Sequence, residues 1–155
     1  MSEHAKSDDH SLVKVTFKLK KGEWHGHATE SMWATAIGGD EYALRNVPFF
    51  AYDVSYGDTV RAESGREWLM VTAVIGRSGH STYRLFVSKD DAFAEWWSDL
   101  QRLGCSYERV TEHHYAVDVE PEADIYKVYE ILEKGKSAGV WDFEEGHCGH
   151  ALRRG

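Results

Sequence analysis

Cysteine and proline are scarce in this chain of 155 residues, with 2 of each. Cys105 and Cys148 lie far apart and follow no CxxC spacing, which argues against a disulfide framework and for a reducing compartment. No proline-rich or serine-rich linker, internal repeat or low-complexity stretch divides the chain, so one cooperative unit is expected. Long apolar runs are absent as well. Nothing approaches the roughly 18 residues that cross a bilayer, and the polar segment from Met1 to Ser11 lacks the apolar core of a signal peptide. The expected location is the cytoplasm, with no membrane partner. Positive charge is also short: 18 Lys and Arg stand against 26 Asp and Glu, a formal net charge of −8. Such a surface repels a phosphate backbone, which disfavours nucleic acid, and it serves solubility or steers a basic protein partner.

What is present is core-forming material. Apolar residues make up 42% of the chain, with 6 Trp, 8 Tyr and 6 Phe, so disorder is expected only at the termini, residues 1–11 forming a frayed tail. Val13, Val15, Phe17 and Leu19 alternate with Lys14, Thr16, Lys18 and Lys20, the period of a strand with one wet face. Strand-like segments Glu30 to Ile37 and Glu41 to Val47 flank Gly38-Gly39-Asp40, a hairpin turn. Pro48 ends that pairing, and strands follow from Thr59 to Ala62 and from Glu67 to Ile75, the last apolar on both faces.

The rhythm changes after Gly79. A strand from Thr82 to Val87 precedes a helix from Asp91 to Leu103 with Phe93, Trp96, Trp97, Leu100 and Leu103 on one stripe, Ser88 as N-cap and Gly104 beyond its end. Strands Tyr107 to Val110 and Tyr115 to Val119 lead to a helix starting near Glu122 and closed by Gly135, then to a strand from Val140 to Glu145. The expected fold class is α+β: a strand-rich lobe over residues 12–78, a small half-open barrel or meander, and a ferredoxin-like βαββαβ lobe over residues 79–150.

Three stretches carry a family resemblance: ESMWA from Glu30 to Ala34, YALRNVPFFAYDVSYGDTV from Tyr42 to Val60, and SGHSTYR from Ser78 to Arg84. With the GVWDFEEG stretch from Gly139 to Gly146, the chain resembles the bacterial domain-of-unknown-function family numbered 4265 over most of residues 13–150. The resemblance implies a bacterial cytosolic protein and brings no activity with it.

Two constellations are candidate ligand contacts. In Asn46-Val47-Pro48-Phe49-Phe50, adjacent phenylalanines of an extended segment face opposite sides, so one of them is free to line a groove and Asn46 offers an amide. The packing alternative puts one ring in the core and the other at the lobe interface, with Asn46 holding a turn. Arg77, Ser78, His80, Ser81, Tyr83 and Arg84 form the densest polar stretch, suited to an anion or to a plain connecting loop. His80 and Ser81 lack an identifiable acidic third member, which weakens a hydrolase triad.

His25 and His27, read as His-x-His on a strand, and His147 and His150 are the residue types zinc prefers, at spacings that match no common zinc pattern. Glu112-His113-His114 reads as a polar hairpin tip, and Asp142, Glu144 and Glu145 as a solvated edge. No complete catalytic set stands out. The expectation is therefore a non-catalytic binding or regulatory module, without cofactor or metal, whose groove joins Asn46, Phe49 and Phe50 to the stretch from Arg77 to Arg84. Its partner is a protein or small molecule, and an immunity-type antagonist of a basic toxin is one form of it, on charge alone. The alternative is a small enzyme, either metal-dependent through the four histidines or a hydrolase with His80 as base near Arg84.

Overall fold

The computed structural model describes residues 12–152; the expected tail at 1–11 lies outside them. The alternating segment forms β1 (Leu12–Lys18), with Val15 buried and Lys14 and Lys18 in water. It pairs antiparallel with β2 (Thr29–Gly38), where Glu30, Met32 and Ala34 take the buried face. The expected hairpin turn is present, Gly38 and Gly39 supplying positive φ, and leads into β3 (Glu41–Leu44). β4 (Thr59–Ser64) and β5 (Leu69–Gly76) continue the antiparallel succession.

Register shifts near Ala36, Thr59 and Arg61 bend the strands. The sheet curls into a ring in which β5 meets β1 in parallel at Met70 opposite Thr16. Val15, Met32, Ala34, Leu44, Val54 and Val60 fill its interior. β5 is apolar on both faces as expected, but it is not buried: Leu69, Val71 and Val74 are half-buried against the ring interior, while Thr72 and Ile75 are exposed on the outer face.

The second half holds β6 (Ser81–Val87), α1 (Asp90–Arg102), β7 (Cys105–Arg109), β8 (His114–Val119), α2 (Ile125–Ser137) and β9 (Trp141–His147). The strands form an antiparallel sheet in the order β7-β8-β6-β9. Phe93, Trp97 and Leu100 of α1 and Ile125, Val128 and Leu132 of α2 pack on it. The caps differ from expectation. Lys89, not Ser88, is the N-cap of α1 and its side chain makes no capping bond; Asp90 and Asp91 in the first turn favour the helix dipole instead. Asp124 caps α2 by accepting from the Tyr126 and Lys127 amides. Gly135 does not close α2: it lies inside the helix where a Cβ would run into the Trp141 ring, and Gly139, at φ 74°, follows the end.

Side-chain alternation on the central strands positions everything that follows. Tyr83, Leu85, Val87, Tyr115, Val117 and Val119 point to the helices. Their neighbours Thr82, Arg84, Phe86, His114, Ala116 and Asp118 therefore point to the other face, where the ring half covers them.

Candidate functional site

The segment from Pro48 to Ala51 is gripped from both halves. Its amides at Phe49, Phe50 and Ala51 donate to the Glu30 carboxylate at 2.6, 2.9 and 2.9 Å. Glu30 sits on the buried face of β2, so its charge is stabilised by the N–H groups it receives. From the opposite side Arg84, 0% exposed, donates to the carbonyls of Pro48 and Ala51 at 3.2 Å and of Phe50 at 3.1 Å. Arg84 Nε donates to Glu144 at 2.9 Å, and the guanidinium lies 4.8 Å from the Tyr52 ring. Gly146 leaves room for it: a Cβ there would stand 2.7 Å from Nη1. Arg84 is a clamp whose donors face protein, so it is not a free ligand contact.

The clamp sends the adjacent phenylalanines apart. Phe49 joins Asn46 in a recess of about 310 Å³ with Lys14, Glu30 and Trp33. Asn46 accepts from the Trp33 amide at 2.7 Å and thus holds the connection. Phe50 faces a larger recess of about 470 Å³, between the halves, where Trp24, His27, Phe86 and His114 stand around it. Trp24 is edge-on to Phe86 at 5.1 Å and 87° and to His114 at 5.4 Å and 64°. His27 stacks on Phe50 at 4.4 Å and 19°. Although 50% exposed, Trp24 is tethered: its Nε1–H donates to the Tyr52 hydroxyl at 2.9 Å and to Glu144 at 3.3 Å.

His114 sets this recess apart. It is 7% exposed, and its buried Nε2 has no hydrogen-bond partner, alone in this among the described side-chain nitrogens and oxygens. Burial pushes its pKa down to about 4, the Arg84 charge adding to the effect and Glu144 opposing it. The ring is neutral at ordinary pH, and it shares the lining with the aromatic and aliphatic Trp24, Phe50, Phe86, Val87 and Val110 and with the polar His25, His27, Ser88, Thr111 and His113.

The other sequence-singled residues go elsewhere. Arg77 donates to Asp58 at 3.0 Å and to the Asp53 carbonyl at 2.8 Å. Ser78 donates to the Tyr56 carbonyl at 2.6 Å and accepts from the His80 amide at 3.2 Å. Ser81, fully buried, shares a hydrogen bond with His150 Nδ1 at 2.6 Å and accepts from the Gly149 amide at 2.9 Å. Tyr83 is in the helix-side core, its hydroxyl donating to Glu145 at 3.1 Å. His80 acquires the acidic partner the sequence did not reveal: Nδ1 pairs with Asp118 at 2.8 Å, in a third recess of about 340 Å³ shared with Tyr56 and Glu108. Burial raises the pKa of Asp118, with His80 opposing. Asn46 and Phe49, Phe50, and His80 thus line three separate recesses, not one groove.

The histidine set is dispersed in the same way. His25 and His27 lie in the turn between β1 and β2, not on a strand; His25 pairs with Glu23 at 2.9 Å. His150 is held by Ser81 and the Glu120 carbonyl. Among the described residues no group of three or more His, Cys, Asp or Glu side chains could hold a metal ion. Both cysteines are free thiols.

A family model described as a domain of unknown function, DUF4265, matches residues 30–143. The chain belongs to the DUF4265 family. The matched DUF4265 region contains the Glu30 and Arg84 clamp and the Phe50, Phe86 and His114 walls, but not the turn that carries Trp24. No curated protein is significantly similar to the chain. A crystal structure titled as that of a hypothetical protein from Neisseria gonorrhoeae is similar in fold, with a TM-score of 0.77 and 18% identity over 89% of this chain and 96% of that one.

Sequence reasoning missed Trp24, Phe86 and His114. A signal did exist for His114: it begins a strand whose next residues are apolar, which places it on a covered sheet rather than at a hairpin tip.

Proposed function

We propose that this protein is a non-catalytic, cytoplasmic binding module whose ligand, a small molecule, occupies the recess walled by Trp24, Phe50, Phe86 and His114. The observation that carries the reading is His114, a neutral imidazole with an unpaired buried nitrogen beside an open recess rich in aromatic and imidazole rings. Leaving a buried polar group unpaired costs about 1–3 kcal/mol, and a ligand that pairs it recovers part of this. The volume of about 470 Å³ falls within the usual range for small-molecule sites. Residues 12–78 and 79–150 act as two lobes of one unit, which the Glu30 and Arg84 clamp supports because it joins them through buried charge. The ferredoxin-like reading of the second lobe is supported by its β-α-β-β-α-β order and the sheet order β7-β8-β6-β9.

A fragment screen followed by amide and side-chain NMR tests the site. Hits that converge on Trp24, Phe50, Phe86 and His114 support it; hits that converge on His80 and Asp118 overturn it. Such hits would favour a second reading, an enzyme with His80 as general base, which the Asp118 pairing encourages. Against it stands the neighbouring hydroxyl: Ser81 is fully buried and already engaged by Gly149 and His150, so it is no exposed nucleophile.

A further inference from the structure

We infer that the recess takes the flat, uncharged ring of an aromatic heterocycle, one ring nitrogen of which hydrogen-bonds His114. This deepens the reading above and rests on it.

The walls limit the class first. None of the side chains lining the recess is a Lys, Arg, Asp or Glu. The nearest carboxylates, Glu23, Asp90 and Glu112, are already turned to the lining His25 and His113, so a charged ligand would lose water there without a free counter-charge, which is costly. Arg84 and Glu144 behind the wall neutralise each other at 2.9 Å. An uncharged ligand meets no such cost.

The walls also fix the shape. Two of the protein's own rings already model how a flat ring sits: the His27 imidazole lies face to face on Phe50, and the Trp24 indole stands edge-on to Phe86 and His114. Offset-stacked and edge-to-face geometries are those aromatic rings prefer. A flat guest extends this arrangement, whereas a tetrahedral or branched one meets ring edges.

The third limit is polarity. Nε2 of His114 is unpaired beside the Phe50 and Phe86 rings, so the guest needs one donor or acceptor on its edge. Trp24 stands edge-on against that imidazole and is held there by Tyr52 and Glu144. A guest that reaches Nε2 takes the place of the indole, which then gives up those two hydrogen bonds.

The test titrates the full chain at pH 7.5 with benzimidazole, naphthalene and tetramethylammonium, reading the Trp24 and His114 resonances by NMR. Benzimidazole is flat and neutral with ring nitrogens, naphthalene is a flat fused bicycle of similar size without them, and tetramethylammonium probes a cation cage. Benzimidazole is expected to bind most tightly and to lose about tenfold in His114→Phe, with His114→Gln retaining part of the affinity and naphthalene indifferent to both. Equal binding of naphthalene and benzimidazole, or equal losses for both in His114→Phe, overturns the hydrogen-bonded class while leaving the recess as a binding site. Preferential binding of tetramethylammonium overturns the uncharged class. If no probe moves either resonance, the heterocycle and the recess reading fall together.

Discussion

The two faces of the β6-β8-β9 sheet are held by different physics. On the helix side Leu85, Val117, Leu100, Val128 and Leu132 are fully or almost fully buried among apolar neighbours, and stability there follows the area removed from water. On the ring side the same strands present Thr82, Arg84, His114 and Asp118, and stability depends on directed partners: Ser55 for Thr82 at 2.7 Å, three carbonyls and Glu144 for Arg84, His80 for Asp118. An apolar face tolerates exchange of shape and hides no unmet bond. A polar face saturates its bonds where it is structural, and among the described residues the one buried polar side-chain atom left unpaired is His114 Nε2, where the proposal above places its guest.

Breaking the polar face at its centre has the largest expected effect. Arg84→Met leaves three carbonyls without their guanidinium donor and Glu144 without its counter-charge, a loss of about 3–5 kcal/mol measured by urea unfolding. Arg84→Lys recovers little, because an ammonium cannot match a planar guanidinium fork. The apolar face behaves differently under a conservative change. Leu132, fully buried, should lose about 2–5 kcal/mol as Leu132→Ala but under about 1.5 kcal/mol as Leu132→Met. Equal tolerance of Arg84→Lys and Leu132→Met would erase the contrast between the faces.

His114 sharpens the comparison through pH. Its pKa falls from 6.5 in the unfolded chain to about 4 in the fold, where Arg84 and Glu144 are the charges that bear on it. Between these values the unfolded chain binds more protons, so the contribution is complete above pH 6.5 and is lost as pH falls toward 4. The loss amounts to roughly 3 kcal/mol over that window. His114→Phe should flatten this part of the stability profile; an unchanged slope would show that the imidazole is not held neutral. The smallest effect belongs to Asn46. Asn46→Ala removes the bond from the Trp33 amide and the one to the Glu108 carboxylate, about 1–2 kcal/mol in thermal unfolding, with benzimidazole affinity unaltered.

Much of the fold was legible because alternation and helical stripes are local signals. β1, the Gly38-Gly39 hairpin, the α1 stripe and the strand and helix order after Gly79 follow from them. Where the reading failed, a partner distant in sequence decided. Gly135 looks like a helix end until Trp141 is seen against it. The polar stretch from Arg77 to Arg84 runs into the expected strand at its second half, but that strand is a central one, so Ser81 and Arg84 are buried against protein instead of facing a ligand. The opposed directions of Phe49 and Phe50 were foreseeable from extended geometry; which of them meets an open recess was not.

By itself the sequence determined the mixed α and β content, the order of strands and helices, and the family, since these depend on local periodicity and on motifs read residue by residue. The tertiary structure decided the site. Trp24 at a glycine-rich turn, Phe50 after a proline, Phe86 near the end of β6 and His114 at the start of β8 share no spacing along the chain. They meet because alternation on two central strands, ring closure and a buried carboxylate and guanidinium bring them to one seam, and whether an imidazole nitrogen is paired depends on atoms that chain order does not place.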